Sequence, residues 1–216
     1  RDVAPSRGLG DVYKRQTTSR LSGEMNGTIN REFEKIQMGT GIIICGLNGA
    51  GKSTLGKALA EKLDFYFIDN EDLFFPKTDS HYIYAAPRTR EEVEKLLLYE
   101  IKVHSNFIFA SVKGDYGDAL CQWIRYVVLI DVPKEIRLQR VKNRSFQKFG
   151  SRILPGGDLH EQEEKFFDFV KSREESTVEA WGKLLDCSVI RIDGTKPVDE
   201  NISYILEQFS DLEDIT

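Results

Sequence analysis

Gly41-Ile42-Ile43-Ile44-Cys45-Gly46-Leu47-Asn48-Gly49-Ala50-Gly51-Lys52-Ser53-Thr54-Leu55 is the stretch that decides the fold. From Gly46 it runs glycine, four residues, then Gly-Lys-Ser, the spacing of a phosphate-binding P-loop. The apolar run 41–45 predicts a short buried strand. Leu55, Ala58, Leu59 and Leu63 fall on one face of a following helix. That order is what polyphosphate binding requires. Gly46, Gly49 and Gly51 let backbone N–H groups, including those of Asn48 and Ala50, turn toward the anion, and the helix N-terminus adds its positive dipole end. In this pattern Lys52 reaches the β- and γ-phosphates, the Ser53 hydroxyl ligates Mg²⁺, and Thr54 follows in the first helical turn.

Outward from the loop, strands and helices alternate. Phe65–Asp69, Asn106–Ala110, Tyr126–Asp131 and Ser188–Ile192 read as further strands, the third of them fully buried. Helices are expected over residues 91–104 (Val93, Leu96, Leu97 and Ile101 on one side), from Pro133 to about Lys142, over 160–184 with Phe166, Val170, Trp181 and Leu184 inward, and over 198–210. Five buried strands alternating with helices imply a doubly wound α/β fold with a five-stranded parallel sheet, a P-loop NTPase. Two segments interrupt the pattern: an aromatic, acidic one at about 70–90, and a basic then glycine-rich one at about 144–158. Ligands of such sheets sit beyond the carboxyl ends of the strands, so the two are expected to be an acceptor-binding insert and a basic lid.

Composition bounds the rest. The chain has 216 residues, 40% hydrophobic and 30% charged, as expected of one globular domain with an adequate core. A net charge of −5 gives no basic field for nucleic acid, and no apolar run approaches a membrane span. Cys45, Cys121 and Cys187 lack metal-ligand spacing and read as reduced core cysteines, which places the protein in the cytoplasm. Residues 1–37 precede the first strand. Their first part, polar and aperiodic, is similar to translated adaptor sequence, so they are expected to be a disordered or non-native extension of a domain at 38–216. Monomer and dimer are both left open.

With these motifs in place the chain resembles the nucleoside-monophosphate kinase and shikimate kinase group of small P-loop kinases, over residues 40–210. The resemblance implies ATP and Mg²⁺ as cofactors and a small-molecule acceptor of the γ-phosphoryl group. Such kinases end their second strand in acidic residues, here Asp69-Asn70-Glu71-Asp72. The resemblance gives Asp69 the metal, and Glu71 or Asp72 the acceptor; spacing favours the first, side-chain type the second. Asp69 is equally suited to cap a helix starting beside it. Arg88-Thr89-Arg90-Glu91 resembles a segment that grips the acceptor, with Arg88 as the fork; the alternative is a solvated helix start. Asp131 through Arg144 resembles the passage into the lid, in which Arg140 stacks on adenine and Arg144 contacts the phosphates; a solvated basic helix end competes with this. Ile192-Asp193-Gly194-Thr195 resembles the adenine-side loop. Arg173 interrupts an apolar helix face, facing either phosphates or solvent. The loop after the third strand, Ser111-Val112-Lys113-Gly114-Asp115-Tyr116-Gly117, matches neither AMP-type nor shikimate-type sequences; Lys113 and Asp115 are candidates for the acceptor or the metal's waters. The function expected is ATP-dependent phosphoryl transfer, with Lys52, Asp69 and Arg144 catalytic. An ATP-binding regulatory module and a simple ATPase are the rival readings.

Overall fold

The computed structural model describes residues 39–174, 176–182 and 187–209. All lie in the compact unit Met38–Thr216. The expected extension at 1–37 and Leu184 fall outside the described residues.

Among the described residues the strands are β1 (Gly41–Cys45), β2 (Tyr66–Asp69), β3 (Phe107–Ala110), β4 (Ile124–Asp131) and β5 (Ser188–Asp193). They form one all-parallel sheet in the order β2-β3-β1-β4-β5. The helices are α1 (Lys52–Leu63), α2 (Asn70–Phe74), α3 (Arg90–Val103), α4 (Asp118–Cys121), α5 (Lys134–Phe149), α6 (His160–Ser172), α7 (Ser176–Gly182) and α8 (Val198–Gln208). The expected doubly wound architecture is the one observed.

The sequence of β1 explains its central place. All five of its residues are buried, because successive side chains point to opposite faces and both faces are covered. Ile42 and Ile44 pack with Leu55 and Leu59 of α1 and Ile205 of α8. Ile43 and Cys45 pack with Val93, Leu97 and Ile101 of α3 and with Trp181 of α7. The register between β1 and β4 shifts between Gly41 and Ile42. Ile124 therefore joins the second layer, although Tyr126, two residues on, belongs to the first. A third, smaller core sits away from the sheet, where Tyr82 meets Val141, Ile153, Leu159, Phe167 and Val170.

Three expectations are corrected. The helix expected to stop near Lys142 continues to Phe149, because nothing breaks it before Gly150, whose φ of +59° ends it. Residues 144–149 of the expected lid are thus helical, followed by a 3₁₀ turn over Gly150–Ile153. The long helix expected over 160–184 ends at Ser172, with Arg173 extended and α7 starting at Ser176. Of the cysteines, only Cys45 is buried; Cys121 is exposed and Cys187 half-buried.

Candidate active site

The loop 46–51 leaves the carboxyl end of β1 and enters α1 at Lys52. Gly49 and Gly51 hold φ of +82° and +100°, conformations that L side chains rarely adopt. A Cβ on Gly49 would lie 2.3 Å from the Arg137 carbonyl oxygen. The loop is therefore pressed against the first turn of α5. Lys52 Nζ donates to the Leu47 carbonyl at 3.2 Å. Burial pushes the Lys52 ammonium down to about 8; Asp69 pulls the other way, while Arg144 and Arg173 push further down. The three charges act on Lys52 although they come from separate elements or joints.

Asp69 closes β2 and caps α2, its Oδ1 accepting from the Glu71 amide at 2.9 Å. The cap and the electrostatic pull on Lys52 are both real, so neither sequence alternative excludes the other. The structure separates Glu71 from Asp72. Glu71 Oε1 accepts from the Tyr84 hydroxyl at 3.0 Å and from Lys148 Nζ at 3.2 Å, and its Oε2 lies 3.8 Å from Arg144 Nη1. Burial works against its charge, but Lys148 and Arg144 prevail and hold the carboxyl below the usual range. Lys148 also donates to the Tyr84 hydroxyl. Asp72 instead pairs with Lys77 at the surface.

Arg88 is anchored through one of its amino groups. Its Nη1 donates to the Leu73 carbonyl at 2.7 Å, satisfying the end of α2. The run Arg88–Glu91 is read best as a helix start, since Thr89 and Glu92 form a capping box. Asp115 lies 2.7 Å from Lys113 Nζ and 3.8 Å from Arg90. Beside it the Tyr116 hydroxyl donates to Asn70 Oδ1 at 2.6 Å.

On the opposite side of the loop, Arg140 Nη2 donates to the Gly194 carbonyl at 3.0 Å and Nη1 to that of Gly49 at 3.5 Å. A cavity of about 210 Å³ lies there, lined by Gly51, Thr54, Ile130, Arg140, Ile192 and Gly194 among others. Gly194 is needed for closeness: a Cβ would stand 2.4 Å from Ile130 Cγ2 and 3.0 Å from the Ala50 carbonyl. Arg173, at the break after α6, donates to Asn48 Oδ1 in the loop at 3.2 Å. It touches the phosphate loop and stays half-buried.

Sequence reasoning passed over Tyr82, Tyr84 and Glu163. The alternation of His81-Tyr82-Ile83-Tyr84 was the available signal. Tyr82 donates to Glu163 Oε1 at 2.9 Å inside the third core, and Tyr84 meets Tyr82 edge to face at 5.5 Å between ring centroids. The histidines stand apart from this site: His81 and Asp158 flank Arg152, His104 stacks on Tyr66, and His160 lies 3.0 Å from the Ile153 carbonyl.

Among the described residues no group of three or more His, Cys, Asp or Glu is placed to hold a metal. Ser53 and Asp69 supply hard oxygens, and a Mg²⁺ ion held by so few protein ligands completes its shell with waters and phosphate oxygens. The donor set therefore fits a nucleotide-borne Mg²⁺. No described helix is long and apolar enough to cross a membrane.

A parallel sheet with β1 at its centre and a phosphate loop at its carboxyl edge define a P-loop NTPase fold. The chain belongs to the family described as an AAA domain, which matches residues 42–165. It is 28% identical over 177 residues to the uncharacterized protein YqaC of Bacillus subtilis (strain 168), covering 78% of this chain and 97% of that one. It is 30% identical over 131 residues to shikimate kinase of Gloeobacter violaceus, covering 56% of this chain and 71% of the relative. Similar solved structures include a gluconokinase from Sinorhizobium meliloti 1021 (16% identity, 82% of this chain and 96% of that one, TM-score 0.49). Shikimate kinase from Acinetobacter baumannii in complex with shikimate is another (22%, 82% and 94%, TM-score 0.48).

Proposed function

We propose that this protein moves the γ-phosphoryl group of ATP to a hydroxyl of a small-molecule acceptor. The observation that carries this reading is the convergence of Lys52, Asp69, Arg144 and Arg173 at one end of the sheet, between the cavity at Gly194 and the segment holding Glu71 and Tyr84. A donor site and an acceptor site on opposite sides of one phosphate loop are what in-line transfer demands.

In this reading the base occupies the cavity against Arg140, and the loop amides cradle the phosphates. Lys52 neutralises the β- and γ-phosphates. Ser53 and Asp69 would hold Mg²⁺, which would supply further charge neutralisation at the phosphates. Glu71 accepts the acceptor hydroxyl and orients it. The acceptor oxygen bonds to the γ-phosphorus as the bond to the β–γ bridging oxygen breaks; ADP leaves and the hydroxyl proton passes to the carboxylate. Arg144 and Arg173 meet the charge that spreads over the transferring group. Closure of segment 144–158 excludes water.

The test is a panel of hydroxylated acceptors (sugars, sugar acids, polyols and nucleosides) with ATP and Mg²⁺, scoring ADP release above the acceptor-free blank. Turnover with one chemical class supports the reading. ATP binding without turnover for any class favours a regulatory module instead.

A further inference from the structure

Glu71 sits where two needs compete. The phosphotransferase reading requires its carboxylate for the acceptor and requires Arg144 at the phosphoryl group. In the structure the two are held together: Glu71 Oε2 lies 3.8 Å from Arg144, its Oε1 3.2 Å from Lys148, and Tyr84 donates to the same Oε1 at 3.0 Å. These partners come from two places far apart in the chain, the 70–90 segment and the exposed side of α5. The carboxylate thus stands as an internal anion for the cations that the γ-phosphate would otherwise attract. Arg144 is 42% exposed at its side chain and Lys148 31%, so both have room to swing.

We propose that Glu71 sets the discrimination between acceptor and water: it holds Arg144 and Lys148 until an acceptor hydroxyl engages its carboxylate and releases them toward the phosphates. This rests on the phosphotransferase reading and adds a role that the reading alone does not contain. Water is present whenever ATP is bound. An arginine delivered early would stabilise its attack on the γ-phosphorus, which turns ATP and water into ADP, inorganic phosphate and a proton. A correctly placed arginine is worth about 10³–10⁵ in rate, so withholding it is an effective restraint. The 3.8 Å pair is loose enough to break, since water screens a part-exposed ion pair.

The experiment is acceptor-free ADP release by the full chain with ATP and Mg²⁺, wild type against Glu71→Gln. The substitution keeps the shape and an oxygen for Tyr84 and removes the charge. The expected result is a rise of about tenfold or more, equivalent to about 1.4 kcal/mol of barrier, with ATP affinity within about threefold. The rise should vanish in Glu71→Gln combined with Arg144→Ala. Glu71→Asp, which keeps the charge with a shorter reach, should give a smaller rise and serves if the glutamine variant does not fold. An unchanged or lower rate in the Glu71 variants, or a rise that survives loss of Arg144, overturns the role of Glu71 while leaving the phosphotransferase reading standing. Failure of the wild type to bind ATP overturns both.

Discussion

At the scale of single residues, the proposed reading divides the work of binding and catalysis between Lys52 and Arg144. Lys52 is half-buried beside the loop with a carbonyl as its hydrogen-bond partner. Lys52→Ala is expected to lower ATP affinity at least about tenfold, about 1.4 kcal/mol, in a calorimetric titration, with the circular dichroism spectrum unchanged. Its pKa of about 8 also sets a pH dependence. ATP favours the protonated amine, so wild-type affinity should fall as pH rises through about 8, and the Lys52→Ala protein should lack that fall. Stability of the nucleotide-free protein runs the other way. Between about 8 and the ordinary value of 10.5 the unfolded chain binds the proton and the folded one does not, so this residue's contribution makes stability rise with pH across that window. Arg144, part-exposed and held by Glu71, is expected to matter little to ground-state ATP binding. Arg144→Ala should bind ATP within about tenfold of wild type and transfer phosphate about 10³-fold more slowly. Equal turnover by the two proteins would remove Arg144 from the mechanism. The sequence identified both residues because their positions follow from the loop and from α5. It did not separate Glu71 from Asp72, since the partners that tell them apart, Lys148 and Lys77, lie 77 residues and 5 residues from them.

At the scale of elements, short-range patterns were legible and joints were not. β1, the phosphate loop and α1 are specified within the one run 41–63 by burial on both faces, glycines and a helical stripe, and they appear where expected. The break between α6 and α7 was invisible, because Arg173 is drawn off the helix toward Asn48, 125 residues earlier. The reach of α5 to Phe149 is hidden in the sequence because basic composition suits a lid loop and a helix alike, straight-chain basic residues being good helix formers. The tie between the 70–90 segment and α6 was equally hidden. Glu163 is 1% exposed, and among the described residues its Oε2 has no hydrogen-bond partner while Oε1 depends on Tyr82. Tyr82→Phe would leave that buried carboxylate with neither oxygen paired, at a cost of about 1–3 kcal/mol. At roughly 2–4 °C per kcal/mol for a domain of this size, thermal denaturation should show a clear fall in Tm. An unchanged Tm would show that the hydroxyl contributes nothing to this joint.

At the scale of the whole sheet, the strand order puts the cavity at Gly194 beside β4 and β5 and the 70–90 segment after β2, with the phosphate loop of β1 between them. In the proposed reading this division lets one loop serve two substrates; the alternation of strands and helices predicts the parallel sheet but not its strand order. All described elements lie within Met38–Thr216. A protein starting at Met38 is accordingly expected to retain ATP binding and Tm, checked by titration and thermal denaturation. The acceptor was not legible, because the loop Ser111–Gly117 belongs to neither known pattern and its charges pair with one another. The central claim is transfer, and the most direct measurement follows the label of γ-³²P-ATP through a reaction with a panel of hydroxylated acceptors. The account predicts labelled organic phosphate from wild type with one acceptor class and none from Lys52→Ala. Bound ATP whose label never reaches any acceptor in the panel would contradict it.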